Sequence, residues 1–224
     1  MAELPIVEEV PRIREFPRFN MFAPRIDGCT GMPKLSFAEL EGNPRVTVYT
    51  NNSNDNINKG IISAPMNPVT FFIFLDELID IAKGPSGTVS RVECKTRERL
   101  PDGKFGDIIP NTELLYGKDD EGMVWIGVRG KDRPNIKFEF KLSDFHRFIK
   151  PNKEPMSATE ASCAQAIGTA ECLKKVYGNV IGNTNKLGGN RNNNNSGIRQ
   201  QNNYQQNTSQ SRPASTSAEF DDVF

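Results

Sequence analysis

One histidine, His146, and four cysteines without a C-x-x-C spacing leave little from which to build a zinc site. The single imidazole also leaves little acid–base equipment near neutral pH beyond carboxylates. The chain lacks a GxxxxGK[ST] phosphate loop, an HExxH pair, a nucleophile elbow and a recognisable Cys–His pairing. An enzyme is therefore not expected, and no cofactor is called for. Net charge is absent too: 28 basic side chains balance 28 acidic ones. That balance argues against a histone-like binder, although a local basic patch is still allowed. Long apolar runs are missing, since the longest, around VTFFIFL, is far too short to span a bilayer. The first residues, MAELPIVEEVPRIREF, are charged and broken by proline, unlike a secretory signal. The expectation is a soluble, reduced, cytoplasmic protein with no membrane partner.

What is present divides into segments. Residues 1–32 read as an extended arm. Its prolines interrupt any helix, and Arg12, Arg14, Arg18 and Arg25 alternate with Phe16, Phe19 and Phe22. The phenylalanines suit packing on the body, and the arginines suit phosphate or a neighbouring subunit.

Residues 33–150 read as the folded body. KLSFAELE and RVTVYTNN alternate apolar and polar residues as half-buried strands do, with turn chemistry at Gly42-Asn43-Pro44 between them. GIISAP is a short strand. Asn67 caps a helix whose first turn accepts Pro68, and Phe71, Phe74, Leu75, Leu78 and Ile81 form its apolar stripe. TVSRVECKTRER is the next strand. A proline–glycine loop leads to ELLYGKDD, MVWIGVRG and IKFEFKL, with a hairpin turn at Asp119-Asp120-Glu121-Gly122. Ser143 is expected to cap a short helix, DFHRFIK. The order of strands followed by a helix occurs twice, which suggests two similar halves.

Residues 157–177 read as a further helix, opened by a capping box between Ser157 and Glu160 and ended by Lys174 and Lys175. Its small residues suit close packing on the body or self-association, so a homo-oligomer stays open. Residues 179–218 read as a disordered linker. Positions 183–217 hold ten asparagines, five glutamines and no acid. The chain then ends in EFDDVF: Glu219, Phe220, Asp221, Asp222, Val223 and Phe224. A charged, aromatic tip on a flexible line suits capture of a partner protein.

Linker and tip together resemble the C-terminal part of single-stranded DNA-binding proteins, cellular and bacteriophage. The resemblance implies that the six tip residues recruit replication and recombination proteins such as a polymerase, helicase or primase. It also implies a body that coats single-stranded DNA in replication, recombination and repair, in the host cytoplasm if the chain is viral. Two consecutive aspartates and no penultimate proline distinguish this tip from the common bacterial form.

The body must then supply a basic track with aromatic platforms. The candidates are Arg45, Tyr49, Lys59, Arg91, Lys95, Arg97, Arg99, Tyr116, Lys118, Trp125, Arg129, Lys131, Arg133 and Lys137. Arg91, Lys95, Arg97 and Arg99 share odd positions, so a regular strand projects them from one face. Trp125 is read equally as core or as stacking platform. IKFEFKLSDFHRFI is similar to the strand-to-helix ending of the PC4/Whirly family of single-stranded DNA binders. That likeness implies an α+β fold of curved antiparallel β-sheets closed by helices in two pseudo-repeated halves. The alternative is a five-stranded oligonucleotide-binding (OB) barrel. An RNA-binding or transcription-regulating module is the alternative function.

Overall fold

Alternating apolar residues build the first layer. In β3 (Lys34–Leu40) and β4 (Asn43–Tyr49), the side chains of Leu35, Phe37, Val46 and Val48 point to one face and are fully buried. The computed structural model describes residues 14–100, 103–143 and 145–188. Strands β1 (Arg14–Glu15) and β2 (Met21–Phe22) pair with β3, and β5 (Ile61–Pro65) pairs with β4, completing a five-stranded antiparallel sheet. The β3–β4 turn is made by Glu41 and Gly42, both at positive φ. The turn expected at Gly42-Asn43-Pro44 thus lies earlier, and Asn43 and Pro44 already belong to β4.

Helix α1 (Pro68–Lys83) follows as expected. Asn67 Oδ1 accepts the Thr70 N–H at 2.8 Å. Phe71, Phe74, Leu75, Leu78 and Ile81 are all buried. Full burial of each such side chain contributes about 1.5–3 kcal/mol.

The second sheet is four-stranded and antiparallel: β6 (Thr88–Arg99), β7 (Phe105–Lys118), β8 (Val124–Gly130) and β9 (Phe138–Glu139), in that order. Its inner face carries Leu114, Tyr116, Val124, Ile126 and Val128, all in the same core cluster as α1. The hairpin at residues 119–122 forms as expected, with Gly122 at φ 86° and its N–H on the Asp119 carbonyl. Helix α2 (Ala158–Gly188) packs on α1. Its capping box is reciprocal: Ser157 N–H donates to Glu160 Oε2 at 2.9 Å, and Glu160 N–H donates to Ser157 Oγ at 3.2 Å. The Tyr177 ring lies 4.7 Å from that of Phe71, and its hydroxyl donates to the Ala38 carbonyl at 2.9 Å.

The architecture is therefore α+β, with two antiparallel sheets and two helices. Neither sheet closes into a barrel, so the OB alternative does not form. Sheet and then helix do occur twice in order, but the second helix is α2. The segment DFHRFIK is not helical where it is described. Ser143 caps only a turn there, accepting the Phe145 N–H at 3.2 Å, and Ile149 bridges Pro155. The expected strand IKFEFKL shrinks to Phe138–Glu139. Helix α2 runs past 177 to Gly188, so Lys174 sits mid-helix and pairs with Asp76 of α1 instead of serving a helix end. In the N-terminal arm, Phe16 is buried against Tyr177 at 5.6 Å. The first ten residues of the expected disordered linker, 179–188, are instead the last turns of α2, so order reaches further along the chain than the composition suggests. Residues 1–13 and 189–224 lie outside the described residues, and with them the rest of the linker and the tip.

Candidate nucleic-acid interface

The outer face of the second sheet is assembled by register. Directly opposed residues of an antiparallel pair share a face. Arg91 opposes Leu115, Glu93 opposes Glu113, Leu115 opposes Gly127, Glu113 opposes Arg129, and Trp125 opposes Gly117 and Glu139. Trp125 is thus half-buried on the outer face and lies outside the core cluster. The Lys137 ammonium lies 5.9 Å from the Trp125 ring centroid.

Charge on this face is alternating. Glu113 receives Arg129 and lies 3.9 Å from Arg91, while Glu93 lies 3.7 Å from Arg91 and 3.9 Å from Lys95. Lys137 touches Asp119 and Glu139. Burial pulls the Lys137 pKa down, but its bonds to Asp119 and Glu139 outweigh that and hold it above the ordinary lysine value. Arg97 and Lys131 carry no ion pair with a described residue.

Beyond the sheet, β6 and β7 continue as a two-stranded ribbon that β8 does not accompany. Two irregularities set its geometry. Cys94 opposes Thr112, but Lys95 opposes Pro110, which leaves Asn111 as the extra residue of a bulge. Pro110 has no N–H to offer a ladder, and a bulge is where a sheet tolerates that. A second shift falls between Arg97 and Arg99. The pairs Lys95–Pro110, Arg97–Ile108 and Arg99–Phe105 result. The outer face therefore continues along the ribbon with cations beside apolar side chains. Phe105 is 64% exposed and Ile108 61%.

Three clefts follow β8 on and around this face. The first, about 260 Å³, is bounded by Leu115, Trp125, Gly127, Val128, Asn135 and Lys137, among others. The second, about 570 Å³, shares Asn135 with it and adds Glu93, Asn111, Glu113, Arg129, Lys131 and Arg133. The third, about 340 Å³, shares Asn111, Thr112, Gly130, Lys131 and Arg133 with the second and reaches Asn58 and Ile61 of the first sheet. Gly130 is required there, since a Cβ would fall 2.9 Å from Arg133 Cγ.

The structure sorts the fourteen sequence candidates. Arg91, Lys95, Trp125, Arg129, Lys131 and Lys137 lie on or beside this one surface, and Arg97 extends it along the ribbon. Lys59 is exposed next to Asn58 at the far rim. The side chain of Arg99 lies outside the described residues, as do Glu219, Phe220, Asp221, Asp222, Val223 and Phe224. Four candidates are otherwise engaged, and a fifth, Arg45, lies half-buried in the first sheet. Tyr116 is fully buried, its hydroxyl donating to Glu77, so it cannot offer a ring to a base. Lys118 donates to the carbonyls of Ala82 and Gly84 at the end of α1. Arg133 is buried against Asp55 at 2.7 Å. Tyr49 belongs to the first sheet, where its hydroxyl donates to Glu15 and Lys34 lies 4.2 Å from its ring centroid. Burial and the Glu15 carboxylate push its pKa up to about 12. Arg45, in the same sheet, is half-buried; burial lowers its pKa, and the charges of Tyr177 and Glu39 oppose that.

Phe105 and Ile108 escaped the sequence reading, as did Phe145, which is 93% exposed between Ser143 and Arg147. Among the described residues there is no cluster of His, Cys, Asp or Glu that could hold a metal. Nor is any helix there long and apolar enough to cross a membrane. No protein-family model, no curated protein and no solved structure matches the chain.

Proposed function

We propose that the chain is a single-stranded DNA-binding protein that holds its ligand along the outer face of the second sheet and the β6–β7 ribbon. The observation that carries this reading is the run of adjoining clefts from Trp125 to Lys131. It combines an aromatic platform with Arg129, Lys131 and Lys137. Stacking on an aromatic ring tolerates any base, and cations along the track meet the phosphates. A duplex hides its base faces, so the platform favours a single strand.

The finer parts of the reading rest on the sequence. The strands-then-helix order, twice repeated, supports a PC4/Whirly-like arrangement. The EFDDVF tip supports recruitment of replication and recombination proteins, with the protein coating strands in replication, recombination and repair in a bacteriophage-type setting. Its work is binding and not catalysis. RNA binding is separated from this reading by competition between matched oligonucleotides, since an RNA reader uses the 2′-hydroxyl.

Fluorescence anisotropy on labelled oligo-dT at two salt concentrations, with duplex competitor, tests the reading. Binding should weaken with salt and ignore duplex. Trp125→Ala should weaken it by about 1–3 kcal/mol, the stacking contribution of one base. Full affinity in that variant would remove the outer face from the model.

A further inference from the structure

The root of the ribbon gathers features that a stacking track alone does not require. The side chains of Arg133 and Asp55 are 5% and 4% exposed, and they pair at 2.7 Å across the gap between the first sheet's 50–60 loop and the 130–135 loop. Thr50 Oγ1 also donates to Asp55 at 3.0 Å, and Arg133 Nη1 reaches the Ile61 carbonyl at 3.3 Å. Arg133 Nε is buried with no partner. A buried donor left unpaired costs about 1–3 kcal/mol unless something meets it.

Backbone strain concentrates at the same place. Asn58 and Lys59 on one side, and Asp132 on the other, hold left-handed φ values of 47°, 54° and 56°. Non-glycine residues in that region cost about 1–3 kcal/mol each and persist where the surroundings over-determine them. The Asn111 bulge stands between them, so two amides, Asn111 and Asn135, line the cleft with no partner among the described residues. The cleft is about 570 Å³, within the roughly 300–1,000 Å³ usual for small-molecule sites.

We infer that this cleft is a nucleotide pocket, which takes one unit of a single strand out of the stacked track. The inference rests on the proposed function. Cations and carboxylates balance inside the larger cleft: Arg129, Lys131 and Arg133 against Glu93, Glu113 and Asp132. That balance leaves no net positive charge in the interior to hold a bare phosphate, and it admits a neutral base. The base sits between the amides of Asn111 and Asn135, each able to donate and to accept. Its phosphate meets Lys131, which lines both clefts and has no carboxylate of its own.

Titration of the ¹⁵N-labelled full chain with dCMP, and separately with inorganic phosphate, tests this. dCMP should shift the amides of Asn111 and Gly130 together with Lys131, and phosphate should shift Lys131 alone. Asn111→Ala and Lys131→Ala should each weaken that dCMP response at least tenfold, while oligo-dT affinity falls only severalfold. Equal shifts with phosphate would overturn the pocket as a base site. No shift from dCMP, in a protein that still binds oligo-dT, would overturn the pocket and leave the outer face standing. A protein that binds neither ligand would overturn both.

Discussion

The two sheets place basic and aromatic side chains alike, and treat them differently. In the first, Tyr49, Lys34 and Glu15 satisfy one another, Thr47 bonds Ser63 at 3.1 Å, and Ser36 and Ala38 are buried. Burial raises the Glu15 pKa, yet the bonds from Tyr49 and Lys34 win and hold it low. In the second, Arg91, Lys95 and Arg129 share two glutamates at the surface, and Lys137 pairs with Asp119 and Glu139 beside the half-buried Trp125. The spacing of cations along a strand does not distinguish the two cases. What distinguishes them is how far the pairs are exposed: Lys34 and Glu15 are largely covered, whereas Arg91, Lys95 and Glu93 are about half exposed and can exchange partners.

The joint between these regions should show the largest effect. Arg133→Ala leaves the Asp55 carboxylate buried and unpaired. It should cost about 3–5 kcal/mol, the usual toll for half a buried ion pair. Thermal unfolding by circular dichroism should then fall by on the order of 10 °C. An unchanged midpoint would mean the two sheets are not tied there.

A smaller effect tests the contrast directly. Glu113→Gln frees Arg91 and Arg129 for phosphates. Oligo-dT affinity should rise by about two- to fivefold, in line with the modest worth of exposed pairs. Glu15→Gln, in the first sheet, should leave affinity unchanged and lower the melting point instead. Equal effects on affinity would dissolve the distinction.

The smallest effect concerns the helix that packs on α1. The Ser157 backbone N–H, then Lys150 and the Ser157 hydroxyl, pull the exposed Glu160 carboxyl down to about 2 from 4.5. A depressed carboxyl contributes its stability above the unfolded value and loses it as pH falls through the folded one. The cap at the start of α2 should therefore weaken between pH 4.5 and about 2. Glu160→Gln should flatten that part of the melting-temperature profile and leave the profile above pH 5 parallel to the parent's.

How much of this was legible depended on locality. Asn67-Pro68, the stripe from Phe71 to Ile81, the Ser157–Glu160 box and the 119–122 hairpin are short-range signals, and each formed where expected. The ribbon was hidden because Gly106 and Pro110 argue against a strand. Two register shifts also change which parity of β7 faces outward: Glu113 and Leu115 before the first, Ile108 after it, Phe105 after the second. A period of two cannot be followed through that. Tyr116 fits an alternating strand as well as Trp125 does, and only the inner position opposite Ile126 makes it core. Arg133 was read as a phosphate ligand because its partner, Asp55, lies 78 residues away.

The Tyr177–Ala38 bond has a consequence for synthesis. Its partners are 139 residues apart in the chain. At about 5–20 residues per second, the tyrosine leaves the ribosome roughly 7–28 s after the strand it completes. Until then Phe16 and Phe71 lack the ring that closes over them. A nascent chain stalled before α2 therefore holds a finished hairpin with an open apolar side, which makes it a substrate for holding chaperones.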